Sequence, residues 1–220
     1  NIAHHKNLVL FEKRVHDKRK DLQMVSLFED RAEVKKRLRE KVQSLRGKLS
    51  RESIAKSDEE IQLRLLQLPY FLSAESIFTY VSMEREPCTK EIIDTAFAMG
   101  KKVYVPRCLP GKEKIMEAVE IFSWDDLQPG TLGILEPRKE IEGAKVQVFS
   151  LMIIPCVSAD RRGGRLGHGA GYYDRFLEKN AGSKLCLCYA SLLSEKIPME
   201  KQDIFMDYVL TEEEMIPCRR

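Results

Sequence analysis

Val34, Leu38, Val42, Leu45 and Leu49 recur at intervals of 4, 4, 3 and 4 residues. That spacing gathers apolar side chains on one helical face and predicts a helix over 34–49. A second helix is expected from Ser57 and Glu60, which stand in capping-box spacing, through Ile61, Leu65 and Leu68 to a stop at Pro69. The period then shortens. Ser76–Ser82 reads as a buried strand. Thr89–Met99 reads as a helix, with Ile92, Ile93, Ala96 and Phe97 on one face and Gly100 behind it. Lys102–Pro106 and Ala118–Phe122 read as strands. Gln147–Cys156 is the strongest strand, apolar on both sides and so expected at the centre of a sheet covered on both faces. A glycine-rich loop, a helix from about Gly171 to Asn180 and strands near Leu185–Tyr189 and Tyr208–Thr211 complete the chain. Thr211 with Glu212–Glu214 has the spacing of a further helix start. Strands separated by helices argue for an α/β fold with a mainly parallel sheet. Residues 34–220 are expected to form one domain. Residues 1–33, whose apolar positions are only loosely periodic, are expected to be an N-terminal extension, a helical segment suited to docking a protein partner.

Composition narrows the class. Of 220 residues, 43% are hydrophobic and 32% charged, enough for a core and too much for a disordered chain. No run approaches the ~18–20 apolar residues of a membrane span. The net charge of +3 hides an asymmetry: residues 35–51 carry eight basic side chains against Glu40, a local +7 that leaves −4 elsewhere. The aromatic residues that a base-stacking platform would interleave there are missing, so a nucleic-acid module is disfavoured. The six cysteines include no C-x-x-C pair, which excludes the usual zinc patterns. Cys186 and Cys188 share a strand face and read as buried free thiols of a reducing compartment, mitochondrial or cytoplasmic. Trp124, within Ser-Trp-Asp-Asp, is expected in a surface loop or beside a helix cap.

The candidate chemistry lies at 161–174, Arg-Arg-Gly-Gly-Arg-Leu-Gly-His-Gly-Ala-Gly-Tyr-Tyr-Asp. Five glycines within nine residues imply backbone at positive φ or pressed close to something else. The loop leaves a strand and feeds a helix N-terminus, where backbone N–H groups and the helix dipole favour anions, and Arg165 adds a charge. Gly167-x-Gly169-x-Gly171 is neither the dinucleotide fingerprint nor a P-loop. A phosphate is the expected ligand, and Asp174 is placed to hold Mg²⁺ against phosphate oxygens. His168 is ambiguous between packing and catalysis.

Gly164 through Asp174 resembles the signature of the 5-formyltetrahydrofolate cyclo-ligase (5,10-methenyltetrahydrofolate synthetase) family. Lys35-Lys36-Arg37-Leu38-Arg39 is similar to that family's opening basic helix, and Ser82-Met83-Glu84-Arg85-Glu86 to its folate-contacting strand end. Val105–Arg107, Gly133–Pro137 and 203–211 follow in the same order. The resemblance implies a three-layer α/β/α fold like that of sugar-phosphate isomerases and CoA-transferases. It also implies an ATP- and Mg²⁺-dependent conversion of 5-formyltetrahydrofolate to 5,10-methenyltetrahydrofolate. By resemblance, Arg165 and Lys35 would be catalytic. Lys35, Arg39, Arg165, Leu166, Gly167, His168, Gly169, Ala170, Gly171, Tyr172 and Tyr173 would bind ATP. Arg39, Val81, Glu86, His168, Gly169 and Tyr172 would bind the folate, and Asp174 and Asp203 the metal. Position 170 departs from the pattern, being alanine where relatives often have lysine or glycine. The alternative reading is a subunit of a larger assembly, mitochondrial for instance, that keeps this fold, docks through residues 1–33 and has reduced or lost activity.

Overall fold

A computed structural model describes residues 30–130 and 133–218, so the expected docking extension falls almost wholly outside the described residues. The first described helix, α1 (Arg31–Lys48), starts where the Asp30 carboxylate accepts the Ala32 N–H at 3.1 Å. Its apolar periodicity proves only half the story. Val42 is buried, but Leu45 is 38% exposed, and the residue most buried beside Val42 is Lys35 at 6%. Lys35, Arg39 and Arg46 turn inward with Val42, and Leu38 and Leu49 pack on the core beside them, so cations share the buried side of the helix with apolar residues.

Helix α2 (Arg51–Leu66) starts earlier than expected, because Ser50 caps it by accepting the Ser53 N–H at 3.0 Å. Ser57 is therefore mid-helix. Nothing between Ser50 and Ser57 breaks a helix, so the first competent cap wins. A short turn, α3 (Pro69–Leu72), leads to β1 (Ser76–Thr79), α4 (Lys90–Ala98), β2 (Lys102–Cys108) and β3 (Met116–Ile121). A small hairpin, β4 (Leu127–Pro129) and β5 (Leu135–Pro137), precedes β6 (Val148–Ile154). Then come the ribbon β7 (Ser158–Ala159) and β8 (Arg165–Leu166), α5 (Tyr172–Lys179), β9 (Ala181–Leu187), β10 (Tyr208–Leu210) and β11 (Met215–Pro217).

Seven strands form one sheet in the order β11-β10-β9-β6-β1-β2-β3. The pairs from β10 to β2 are parallel; β3 and β11 close the two edges antiparallel. Strand β6 is central, as its two-sided apolar character requires. Phe78, Phe149 and Phe176 gather on one face, with Phe78 stacked on Phe176 of α5 at 4.5 Å. The alternate residues Ile77, Val103 and Val105 are equally buried, so both faces are covered.

The expected helix start at Thr211 is a hairpin turn. The Thr211 hydroxyl accepts the Glu213 and Glu214 N–H groups, and the chain returns as β11. The same side-chain acceptor serves a helix cap and a tight turn, and sequence spacing does not separate them. Ser123 does cap a single 3-10 turn containing Trp124, whose Nε1 donates to Asp94 at 2.5 Å. All six thiols are free, and Cys156, Cys186 and Cys188 are buried.

Candidate functional site

Strand order and chain order together locate the site. From β1 the chain moves one way to β2, and later returns to place β6 on the other side of β1. In parallel sheets such a reversal opens a crevice at the carboxyl ends of the two strands. Here the crevice lies between the loop after β1, residues 80–89, and the segment after β6, residues 155–171. A cavity of about 1480 Å³ occupies it.

All the catalytic, ATP-, folate- and metal-binding candidates line this cavity: Lys35 and Arg39 from α1, Val81 and Glu86 after β1, the whole run Arg165–Asp174, and Asp203. Tyr80 and Met83 line it too. Trp124 does not, so it has no part in stacking on a ligand here.

The β7–β8 ribbon presents Arg165. Its turn is organised by Asp160, 2% exposed, which accepts N–H groups from Arg162 and Gly164 at 2.9 Å and from Ile197 at 2.8 Å. Arg165 is 6% exposed, and its Nη2 donates to both carboxylate oxygens of Asp174, at 3.1 and 3.0 Å. Its Nε is buried without a hydrogen-bond partner. Tyr173 lies beneath, with the guanidinium 5.5 Å from the ring centre. Burial pushes the Tyr173 hydroxyl far above its ordinary pKa; the Glu86 charge adds to this and Arg165 opposes it. Tyr173 is thus a neutral wall and a hydrogen-bond donor, not a base.

Lys35 donates to Glu200, at 2.6 Å, and to Asp203. Asp203 also accepts the Glu200 N–H at 2.6 Å, which folds the 200–203 turn onto the lysine. Arg39 Nε donates to the Gly167 carbonyl at 2.8 Å and so ties α1 to the glycine loop. Further along the same face, Arg46 donates to the Cys156 and Val157 carbonyls at the end of β6.

Glu86 is held for a purpose other than ion pairing. It is 6% exposed and accepts the Met83 N–H at 3.0 Å, while Oε1 is 3.6 Å from His168 Nε2, too far for a hydrogen bond. The preceding residue, Arg85, has φ +67, a left-handed conformation that non-glycine residues adopt at a cost. Its guanidinium offsets that by donating to the Arg46 carbonyl at 2.9 Å, capping the carboxyl end of α1.

The family profile described as the 5-formyltetrahydrofolate cyclo-ligase family matches residues 31–212. The chain belongs to this family. Among its cyclo-ligase relatives is a probable 5-formyltetrahydrofolate cyclo-ligase of Schizosaccharomyces pombe, 30% identical over 83% of this chain and 97% of that protein. A probable 5-formyltetrahydrofolate cyclo-ligase of Caenorhabditis elegans is 29% identical over 84% of this chain and 95% of that protein. The solved structure of Aquifex aeolicus 5,10-methenyltetrahydrofolate synthetase superposes with a TM-score of 0.74. It is 28% identical, covering 85% of this chain and 94% of that one.

For a cyclo-ligase chain, several residues in or behind the cavity carried no sequence signal. Glu200, which lines it, and Asp160, which holds the turn behind Arg165, were passed over because isolated acids in loops are ordinary. Arg107, which lines the far wall and pairs with Glu117 at 2.7 Å, entered only as part of the resembling segment Val105–Arg107, with no role given to it. Arg175 follows Asp174 directly, and its place beside the glycine loop depends on the helix turn that brings it back.

Asp174 and Asp203 approach the same corner, since Asp174 Oδ1 accepts the N–H of Ile204 at 3.2 Å. Each is engaged by a cation, and among the described residues no three His, Cys, Asp or Glu side chains are arranged to hold a metal. Magnesium that arrives with a nucleotide needs only one or two carboxylates beside phosphate oxygens and water, and this pair fits that demand.

Proposed function

We propose that this chain converts 5-formyltetrahydrofolate to 5,10-methenyltetrahydrofolate at the expense of ATP. The observation that carries the reading is the convergence of Arg39, Arg165 and Lys35 on one cavity, walled by the glycine loop, that also holds the buried carboxylate of Glu86. Cations and backbone N–H groups suit a polyphosphate, and a buried acceptor suits the N–H groups of a pterin ring.

In this reading the formyl oxygen attacks the γ-phosphorus and ADP leaves. N10 then attacks the activated formyl carbon, phosphate departs with the former formyl oxygen, and N10 loses its proton. Phosphoryl transfer asks the protein mainly for positioning and charge neutralisation. Arg39 and Arg165 hold the phosphate oxygens, and the N–H groups of 167–171 supply further donors. Lys35, released from Glu200 and Asp203 when phosphate enters, faces the transferred group. Glu86 fixes the pterin ring so that the formyl oxygen points at the nucleotide. Magnesium, held by Asp174 and Asp203, would neutralise phosphate charge. The neutral Tyr173 and Tyr80, the latter's hydroxyl donating to the Pro87 carbonyl at 2.6 Å, keep the wall dry.

The test is direct. Purified protein with Mg·ATP and 5-formyltetrahydrofolate should form the methenyl product, followed by its ultraviolet absorbance, with one ADP released per product. Absence of folate-dependent ATP consumption would overturn the reading.

A further inference from the structure

Gly167, Gly169 and Gly171 each stand against a different guanidinium. A Cβ at Gly167 would lie 3.0 Å from Nη1 of Arg165, and at Gly169 3.3 Å from Cζ of Arg39. At Gly171 it would lie 2.9 Å from Nη1 of Arg175. The alternate glycines thus clear space for a row of three arginines contributed by β8, α1 and α5. Two of the three belong to the phosphate site proposed above.

We propose that Arg175 is the third, a binding residue for the phosphate tail of the nucleotide. The inference rests on reading the cavity as a cyclo-ligase site that uses ATP. Arg175 is anchored by carbonyls alone: Nε and Nη2 donate to the Lys114 carbonyl at 3.1 and 2.9 Å, and Nη2 also to the Ala170 carbonyl at 2.8 Å. The ring of Tyr172 lies 5.9 Å from its Cζ. No carboxylate among the described residues pairs with it, whereas Arg165 is matched by Asp174. Its charge therefore has no carboxylate partner among the described residues at the cavity wall, and its Nη1, beside Gly171, donates to no acceptor among them. It also sits one turn into α5, where the helix dipole disfavours a cation unless an anion is bound nearby. The two anchors fix the long side chain before any ligand arrives, so little entropy is lost on binding. A planar fork with free N–H groups is suited to phosphate oxygens.

The experiment compares wild type, Arg175→Gln and Arg175→Lys. It reads KM for ATP, KM for 5-formyltetrahydrofolate, thermal midpoint, and the Kd of Mg·ATP by calorimetry without folate. Arg175→Gln should raise both the ATP KM and the Mg·ATP Kd about tenfold or more, the scale of a lost charged hydrogen bond, while the folate KM and the midpoint hold. Arg175→Lys, keeping the charge without the fork, should recover part of the loss. An unchanged ATP KM overturns the proposal. So does a rise in the folate KM alone, which would assign the guanidinium to folate carboxylates. A loss of all parameters in step with the midpoint makes Arg175 only a clamp between the glycine loop and the 109–115 turn, and equally overturns it. Wild type that binds Mg·ATP without turning over the folate removes the cyclo-ligase reading, and the calorimetric arm still decides Arg175.

Discussion

Arg165 and Asp174 face one another across the glycine loop, with one guanidinium nitrogen 3.1 and 3.0 Å from the two carboxylate oxygens. The pair closes the ten-residue segment 165–174 onto itself and leaves Arg165 Nε with no hydrogen-bond partner among the described residues. A buried guanidinium depends strongly on its one carboxylate. Asp174→Ala is expected to destabilise the fold by about 3 kcal/mol, the lower end for breaking a buried pair because Asp174 keeps some contact with water. Denaturant melts measure this. Arg165→Ala should abolish turnover.

Asp160 does comparable work with no charged partner. Its carboxylate satisfies two N–H groups of the turn that presents Arg165, those of Arg162 and Gly164, and the N–H of the distant Ile197. Asp160→Ala strands these donors, and the expected loss is about 2–4 kcal/mol from unsatisfied groups. Because the turn would relax, the ATP KM should rise as well. Calorimetric melting and steady-state kinetics on the same preparation test both effects.

Gly169 has φ +94 and abuts the Arg39 guanidinium. Gly169→Ala meets two obstacles, a left-handed backbone that costs about 1–2 kcal/mol for an L-residue and a displaced arginine. Weaker ATP binding with a modestly lowered melting temperature is expected. An ATP KM equal to wild type would show that the loop does not need its arginine at this point.

Asp203 accepts from both Lys35 and the Glu200 N–H. Asp203→Asn should raise the Mg²⁺ concentration needed for half-maximal turnover and leave the folate KM alone. A magnesium titration at saturating ATP reads this out.

Asp58 lies behind the 80–89 loop, accepting the Cys88 N–H at 3.0 Å and the Tyr189 hydroxyl at 2.8 Å. Burial lifts its pKa above the ordinary carboxylate value, and the hydrogen bonds offset this only in part. The folded chain then holds this proton more tightly than the unfolded one. Stability from this group is present at low pH and lost as pH rises through the folded pKa. Asp58→Asn should flatten that part of the stability–pH profile, seen in melts across the acid range, while Asp58→Ala should destabilise at every pH.

The sheet was legible because β1, β2 and β6 are apolar on both sides and short, which only a covered parallel strand explains. The glycine loop was legible because five glycines within nine residues are more than a connecting turn needs. Two kinds of signal misled. Capping spacing at Ser57 and Thr211 marks a side-chain acceptor three residues before a donor, and both a helix interior and a hairpin turn contain that spacing. The stripe on α1 misled at one position: Val42, Leu38 and Leu49 pack on the core as expected, but Leu45 is exposed, because the helix turns Lys35, Arg39 and Arg46 inward beside them. Asp160, Glu200 and Arg175 were invisible because their importance comes from neighbours distant in the chain or across a turn.

That distance has a consequence for how ligand and fold depend on each other. Arg39 meets the Gly167 carbonyl across 128 residues, and Lys35 meets Glu200 across 165. A nucleotide-binding loop made from one local segment can survive in a fragment; this constellation exists only when β1, β6 and α1 are all in place. If the constellation holds ATP as proposed, an unfolded chain offers the nucleotide nothing comparable, and binding energy returns to the fold in full, about 2.7 kcal/mol at a hundred times Kd. In a cell the level of the co-substrate would set how long the protein lasts as well as how fast it works.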